Sequence, residues 1–356
     1  MLIRKKSLFF MIIVLLFVVS GCFKGERSNV NNNESNDIND RSEITNDETN
    51  DDRDAEDEDE SASETAVREL YLMNVDGLIV GQQFELPIPE SKEVATQVLQ
   101  YLVKDGPVTD ILPNGFQAVL PEGTEVLSIN LQDDGSIVVD FSEEFLEYHP
   151  DHERKILEAV TFTLTQFDSI NRVFIRVNGE QLTEMPMNGT PIEKGYSRAQ
   201  GINFIQTDAL DFIASEPVTI YYPSEYNDER YFVPVTQHIE VKDGNLFESI
   251  VNALIEGPRY DTNVIHVFNS NTMLVEAPTL NDGVLELVFN DMILKDADRG
   301  MIADEVMETL TKTLTEYQNV NAISVKVEDY AVIVNEDGEE YVNPVTMEAF
   351  QKKEKL

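Results

Sequence analysis

The chain has 356 residues, of which 67 are Asp or Glu and 26 are Lys or Arg, so its formal net charge at pH 7 is −41. A charge of this sign repels nucleic acid and anionic membrane surfaces, and it favours a basic partner or divalent cations. Because of this charge, we expect no nucleic-acid partner. The chain contains one cysteine, which excludes an intramolecular disulfide.

The N-terminal stretch, residues 1–21, is typical of a secretory signal peptide. Basic residues at 4–6 precede an apolar run at 8–19, which is too short to span a bilayer comfortably. The run ends in small residues, and we predict cleavage between Gly21 and Cys22. An uncleaved signal anchor, or an ordinary signal with an incidental cysteine, is the alternative.

The boundary before Cys22 resembles the lipobox of bacterial lipoproteins. This resemblance implies that Cys22 is lipidated, with palmitate or a similar acyl chain, and becomes the first residue of the mature chain. It also implies that the protein is anchored to the outer face of the plasma membrane through Cys22.

The segment 22–66 is rich in Asp, Glu, Asn and Ser and nearly free of apolar residues. Such a composition cannot bury enough surface to offset the entropy of ordering, so we predict a disordered acidic tether. The acidic run that begins at Asp51 could be interpreted as a calcium site. It lacks the turn glycine and the distal glutamate of a calcium loop, which favours a solvated spacer.

The remaining sequence contains one pattern twice. An Asp-Gly turn, an alternating apolar run, a helical stripe and a second alternating run follow one another in both halves. The first set occupies 133–135, 137–141, 156–164 and 173–177, and the second occupies 281–283, 285–289, 306–314 and 323–327. The two halves are therefore predicted to be copies of one fold.

The pattern also predicts a fold class. The Asp-Gly pairs at Gly135 and Gly283 indicate tight hairpins, because glycine adopts the positive φ of such turns. Apolar residues at helical spacing, Ile156 with Val160 and Leu164, form one stripe. A striped helix between half-apolar strands predicts an α+β domain of two layers, in which helices pack on an antiparallel sheet.

Further elements precede these in each half. Two strands near 69–72 and 82–86 are followed by a helix that we predict to stop at Gly106 before a proline, and the second half repeats this with a stop at Gly257. Four glycines are thus predicted to be structural turns: Gly106, Gly135, Gly257 and Gly283. The predicted domains are 67–189 and 216–345, with a packed linker at 190–215 and a C-terminal tail at 346–356.

Several segments resemble the GerMN domain, the sporulation and spore-germination domain of the GerM type. In the first half these are Leu120-Pro121-Glu122-Gly123-Thr124, Val139-Asp140-Phe141-Ser142-Glu143-Glu144-Phe145, Thr163-Leu164-Thr165-Gln166-Phe167 and Val177-Asn178-Gly179. In the second half they are Phe232-Val233-Pro234-Val235-Thr236, Ala253-Leu254-Ile255-Glu256-Gly257-Pro258 and Leu314-Thr315-Glu316-Tyr317. The second half departs from the family pattern where Ser142-Glu143 becomes Asn290-Asp291.

The resemblance implies a fold similar to the ring-building α+β domains of secretion-type channels. It implies a lipoprotein without catalytic residues that assists sporulation and germination, as an adaptor for a ring-forming channel between mother cell and forespore. Protein components of that channel or ring are the expected partners. A peptidoglycan-binding module that supports cortex formation or hydrolysis is the alternative, and a wall hydrolase is a third hypothesis.

The residues themselves offer little for catalysis or metal binding. His149 and His152 could hold a metal, but the proline between them disturbs helical spacing and no third ligand follows. A hydrolase would pair Glu143 with Glu144 or Asp140 as acid and base. Ser142 and Asn290 are good N-cap residues, however, and acids after a cap stabilise a short helix. We predict no catalytic residue, no metal site and no cofactor.

Overall fold

The computed structural model describes residues 64–89, 93–204, 215–241, 244–258, 263–317 and 319–350. The predicted signal peptide, Cys22, nearly all of the predicted tether, residues 205–214 of the predicted linker and the end of the predicted tail lie outside the described residues.

The first copy begins with a strand that starts at Thr65, slightly before the predicted domain boundary at 67. Its elements are β1 (Thr65–Asn74), β2 (Ile79–Pro87), α1 (Val94–Gln100), β3 (Phe116–Gln117), β4 (Val126–Leu131), β5 (Ser136–Phe141), α2 (Glu153–Leu164), β6 (Arg172–Val177) and β7 (Glu180–Gln181).

The second copy repeats the main elements in the same order; its described residues form no counterpart of the short strands β3 and β7, and they add one short hairpin. Its elements are β8 (Ser215–Tyr226), β9 (Glu229–Glu240), α3 (Leu246–Glu256), β10 (Thr279–Asn281), β11 (Val284–Phe289), β12 (Leu294–Asp296), β13 (Met301–Ile302), α4 (Asp304–Leu314) and β14 (Ala322–Val327). The prediction of an α+β protein with two tandem copies is confirmed.

The sheets are mostly antiparallel, with one exception in each copy. Strands β1 and β2, β4 and β5, β8 and β9, and β10 and β11 pair antiparallel, as predicted. The strands on either side of the second helix, β5 with β6 and β11 with β14, pair parallel instead. A helix that connects two neighbouring strands returns the chain to the end at which the first strand began, so the two strands run in the same direction.

Helix α2 is buried along almost its whole length because it contacts both the opening hairpin and β6. The side chain of a threonine in this helix accepts a hydrogen bond from the backbone of the hairpin: Thr163 Oγ1 accepts the N–H of Tyr71 at 3.0 Å. In the second copy Thr313 Oγ1 accepts the N–H of Tyr221 at 3.1 Å. In both copies the buried threonine hydroxyl is therefore hydrogen-bonded to the backbone of the hairpin, so this polar group has a partner inside the protein.

The two copies form two hydrophobic clusters that share a boundary. One cluster contains the apolar residues of the first copy, and the other contains those of the second. Val80, in β2 of the first copy, is fully buried in the second cluster, and Leu78 packs against it. The opening hairpin of the first copy therefore contributes to both cores.

Candidate interaction surfaces

The predicted cleavage and lipidation residues, Gly21 and Cys22, lie outside the described residues, so the lipid anchor stays a prediction. No helix among the residues that the structure describes has the length and apolar character needed to cross a membrane.

The two predicted hairpin glycines lie in turns of different length. Gly135 has φ of +81° and closes the loop between β4 and β5, where Gln132 donates to the carbonyl of Ser136 at 2.8 Å. Gly283 also has φ of +81°, but it forms a two-residue turn with Asp282, whose φ is +48°. The first loop matches a three-residue hairpin with glycine at the left-handed position, and the second matches a type I′ turn.

Both turn glycines are held by an asparagine from the neighbouring strand. The N–H of Asn171 donates to the carbonyl of Gly135 at 2.9 Å, and the N–H of Asn321 donates to Gly283 at 2.7 Å. A Cβ on Gly135 would lie 2.3 Å from Nδ2 of Asn171, and one on Gly283 would lie 2.5 Å from Nδ2 of Asn321. Both positive φ and close approach therefore favour glycine at each turn.

The other two predicted turn glycines differ in conformation. Gly257 is the C-cap residue of α3, with φ of +80° and its N–H donating to Ala253. Helix α1 ends at Gln100, so the predicted stop at Gly106 is too late. The residue with a left-handed φ there is Asp105. Gly106 lies close to the preceding backbone, since a Cβ on it would lie 2.8 Å from the carbonyl oxygen of Val103.

The two candidate metal-binding histidines are not part of a larger set of ligands. The ring centroids of His149 and His152 are 6.2 Å apart, and His149 Nδ1 accepts the N–H of Asp151 at 3.4 Å. Burial and the nearby cation of Lys104 lower the pKa of His152. No group of three or more His, Cys, Asp or Glu residues converges on a metal position within the described part of the chain.

The predicted cap residues have the expected position but bond elsewhere. Ser142 and Asn290 each precede a short 3₁₀ turn, yet neither side chain caps it. Ser142 Oγ accepts the N–H of Glu125 at 2.9 Å, and Asn290 Oδ1 accepts the N–H of Met273 at 3.1 Å. The side chains therefore fasten the turn to the segment before the edge strand, a long-range contact that sequence spacing does not reveal.

The candidate acid and base of a hydrolase face different surroundings. Glu143 and Glu144 are exposed, and the Ser142 hydroxyl lowers the pKa of Glu144 by hydrogen bonding. Asp140 accepts the N–H of Gly179 at 2.9 Å, so its carboxylate supports the turn after β6. Asp140 and Glu144 therefore have local structural explanations, and Glu143 is an exposed residue in the first turn of a 3₁₀ helix.

One buried carboxylate escaped the sequence analysis. Glu153, at the start of α2, is fully buried, and its two oxygens accept hydrogen bonds from Tyr148, Met187, Asn188 and Thr190. Burial alone raises its pKa, but these hydrogen bonds outweigh burial and lower it. The carboxylate therefore fastens the loop at 187–190 to the first domain.

The junction between the copies contains a second group of residues that the sequence analysis missed. Asn203, whose φ is +46°, donates from its amide to the carbonyls of Ile79 in β2 and Pro234 in β9, at 2.6 and 2.8 Å. Its Oδ1 accepts the N–H of Ile79 at 2.7 Å, and its own N–H donates to Glu158 at 3.1 Å. Burial raises the pKa of Glu158 to about 7. One side chain thus joins both hairpins, and its backbone contacts α2.

A charged pair adds to this junction. Arg198 donates to the carboxylate of Glu316 and, at 2.9 Å, to Oγ1 of Thr165, while its guanidinium lies 4.5 Å from the ring centre of Phe162. Glu316 also accepts the hydroxyl of Tyr221 at 3.0 Å. The pair therefore links the segment after the first domain to the residues that directly follow α4.

The outer edge of the first-copy sheet exposes apolar side chains beside a groove. Strand β4 lies at the end of the order β4-β5-β6-β7, beside α1. A groove of about 440 Å³ runs between them, lined by Glu93, Val94, Ala95, Thr96, Val126, Leu127, Ser128, Ile129, Leu131, Ile137, Phe167, Ser169 and Ile170. Leu127 and Leu131 are 47% and 48% exposed.

Known proteins share this architecture. The family described as Germane, sporulation and spore germination, matches residues 69–183 and 219–332. The chain is 43% identical over 289 residues to the spore germination protein GerM of Bacillus subtilis (strain 168), which covers 81% of this chain and 78% of that protein. A solved structure of the tandem GerMN domains of GerM from Bacillus subtilis is similar with a TM-score of 0.74 and 42% identity, over 80% of this chain and 97% of that one. The matched ranges lie within the two copies, and the chain therefore belongs to the Germane family of sporulation and spore germination proteins.

Proposed function

We propose that this protein is a non-enzymatic lipoprotein, anchored through Cys22 to the outer face of the plasma membrane. It acts in sporulation and germination as an adaptor that helps a ring-forming channel complex assemble between mother cell and forespore. Membership of the Germane family and likeness to a spore germination protein support the process. The role of adaptor rests on the architecture.

The observation that carries the adaptor role is the joined pair of domains. Asn203 bonds to both opening hairpins, and Arg198 bonds to Glu316 across the junction, so two copies of one domain present their surfaces as one body. The conspicuous carboxylates, Glu153 and Asp140, are occupied by backbone hydrogen bonds rather than directed at a common point. Such an arrangement suits a scaffold that positions partners.

The test is a crosslinking pull-down from sporulating cells with the lipidated full-length protein. Recovery of integral-membrane or ring-forming proteins at the septal membranes is the expected result. Recovery of wall fragments or cortex-degrading enzymes alone would move the function to the peptidoglycan-binding alternative. Turnover of labelled peptidoglycan by the purified chain would overturn the non-enzymatic assignment.

The anchor is tested separately with Cys22→Ala. Acylation requires the thiol, so we expect this variant to leave the membrane fraction while the unaltered protein stays in it. Ser20→Ala, which keeps a small residue before the predicted cleavage site, is the control and should fractionate like the unaltered protein. If Cys22→Ala remains in the membrane fraction, the lipid anchor is wrong and another segment holds the protein.

A further inference from the structure

The edge of the first-copy sheet differs from the edge of the second. Strand β4 is a six-residue edge strand, and the region contains neither proline nor lysine, the residues that commonly protect an edge. In the second copy Leu274 bridges Phe289, as Val126 pairs with Phe141 in the first. Val275 still donates its N–H to the carbonyl of Val288 at 2.9 Å, and the chain then leaves the sheet at 276–278, which includes Pro278, before the three-residue strand β10. The second edge is therefore interrupted by several residues, whereas β4 has one register shift, between Val126 and Ser128, and pairs regularly with β5 from Ser128 to Leu131.

The backbone of β4 has hydrogen-bonding groups that point away from its partner. Gln132 bonds to Ser136 across the hairpin, and hydrogen-bonded pairs alternate with non-hydrogen-bonded pairs along antiparallel strands. Ile129 and Leu131 therefore occupy non-hydrogen-bonded positions opposite Val139 and Ile137. Their N–H and C=O groups face outward, and no hydrogen bond from the described residues reaches their N–H groups.

The groove beside this edge is apolar inside and acidic around it. Its floor and walls include Leu127, Leu131 and Phe167. Glu93 lines the groove, and the exposed residues Glu125 and Asp168 directly adjoin lining residues in the chain. One cation, Arg68, lies near one end, 5.9 Å from the ring centre of Phe167. Lys92 directly precedes Glu93 in the chain, so the three carboxylates are accompanied by two cations, and the chain as a whole is strongly negative.

We infer that the edge of β4 binds an extended segment of a partner protein in which apolar residues alternate with Lys or Arg. The segment adds a strand to the sheet: main-chain hydrogen bonds to Ile129 and Leu131 supply the register, and alternate apolar side chains enter the groove. The basic side chains on the other face of the segment meet the surrounding carboxylates. A second copy of this chain fits poorly, since its own edge would bring the same carboxylates against them. This inference rests on the proposed adaptor role and names its binding surface.

The direct test measures binding of a fluorescent, ten-residue peptide of alternating valine and lysine to the full-length chain by anisotropy. Leu131→Pro removes the outward N–H without removing a hydrogen bond to β5, and we expect affinity to fall at least tenfold. Leu280→Pro is the matched control, because Leu280 occupies the corresponding position, next to the closing pair of the β10–β11 turn. It should change affinity by less than twofold.

Two further measurements keep the test decisive. Leu131→Lys changes a half-exposed side chain, so it should fold even if the proline variant does not, and it should also weaken binding at least tenfold. A peptide with alternate N-methyl groups retains charge and apolar content but cannot pair as a strand, and it should not bind. Equal binding of that peptide, or unchanged binding by Leu131→Lys, would overturn the inference. So would an equilibrium dimer that Leu131→Lys abolishes, since a second copy would then occupy the edge.

The adaptor role and the edge can fail separately. If the crosslinking pull-down recovers the same membrane proteins with Leu131→Lys as with the unaltered chain, the edge is not the docking surface and the adaptor role stands. If the unaltered chain recovers no membrane protein although the valine–lysine peptide binds at β4, the edge stands as a strand-binding surface and the adaptor role fails.

Discussion

In both copies an asparagine donates its N–H to a turn glycine, and a helix threonine accepts the N–H of a hairpin tyrosine. Away from these interior contacts the copies diverge. The first has a six-residue edge strand with one register shift and a buried glutamate that holds a loop. The second has a three-residue edge strand and Ala303 at the position 150 residues after Glu153. The two copies therefore share these backbone contacts and differ at the edge strand and at the loop that Glu153 holds.

The junction between the copies depends on contacts with both of them. Among the variants proposed here, Asn203→Ala should destabilise it most. The change removes three side-chain hydrogen bonds and leaves groups of Ile79 and Pro234 without partners, so we expect a loss of about 2–4 kcal/mol in the free energy of unfolding. Urea denaturation should show the loss, and the two domains should begin to unfold in separate steps.

The control for this variant is Asn178→Ala. Asn178 also has a positive φ, of +49°, but it is exposed and belongs to a turn within the first copy. Alanine therefore carries a similar backbone cost at both sites, of about 1 kcal/mol. If both variants lose the same stability, the amide of Asn203 contributes nothing and the junction is held by its apolar contacts and by Arg198 with Glu316.

Local patterns account for the part of this architecture that the sequence predicts. The turn glycines, the helix stripes and the duplication depend on residues close together in the chain. The parallel pairing of β5 with β6 depends on how the chain returns after α2. Asn203 has partners 124 and 31 residues away, so its role cannot be read from its neighbours. Glu153 looks like an ordinary acid in the first turn of a helix, because Met187 and Asn188 are 34 and 35 residues away in the chain.

Glu153, which only the first copy has, should give a loss of stability of intermediate size. Glu153→Gln removes the charge from a buried group with several donors, and we expect a loss of about 2 kcal/mol because hydrogen bonds to charged groups are the stronger ones. In the second copy Asp304 accepts a single exposed N–H, from Glu336, at 3.2 Å. Asp304→Asn should therefore lower the melting temperature much less. Equal effects would mean that the buried carboxylate is not special to the first copy.

The Glu153 contribution should also depend on pH. Its pKa in the folded protein lies below the ordinary value of 4.5, so the folded state holds this proton more weakly than the unfolded chain. The stabilisation is therefore complete above about pH 4.5 and is lost as the pH falls through the folded-state pKa. The difference in unfolding free energy between the unaltered protein and Glu153→Gln should shrink on acidification, and a difference that grows instead would contradict the assignment.

The smallest effects should come from the feature that both copies share. Gly135→Ala and Gly283→Ala each place a Cβ at φ of +81° and against an asparagine amide, so each should lower the free energy of unfolding by about 1–2 kcal/mol. Adding Asn171→Ala to Gly135→Ala removes the clash but keeps the backbone cost, so the combined loss should be smaller than the sum of the two single losses. If the glycine variants melt like the unaltered protein yet fail to recover partners in the pull-down, the turns are binding residues. Equal stability losses with normal recovery would instead mean that both turns support the fold of each repeat, apart from the edge of β4 on which the two copies differ.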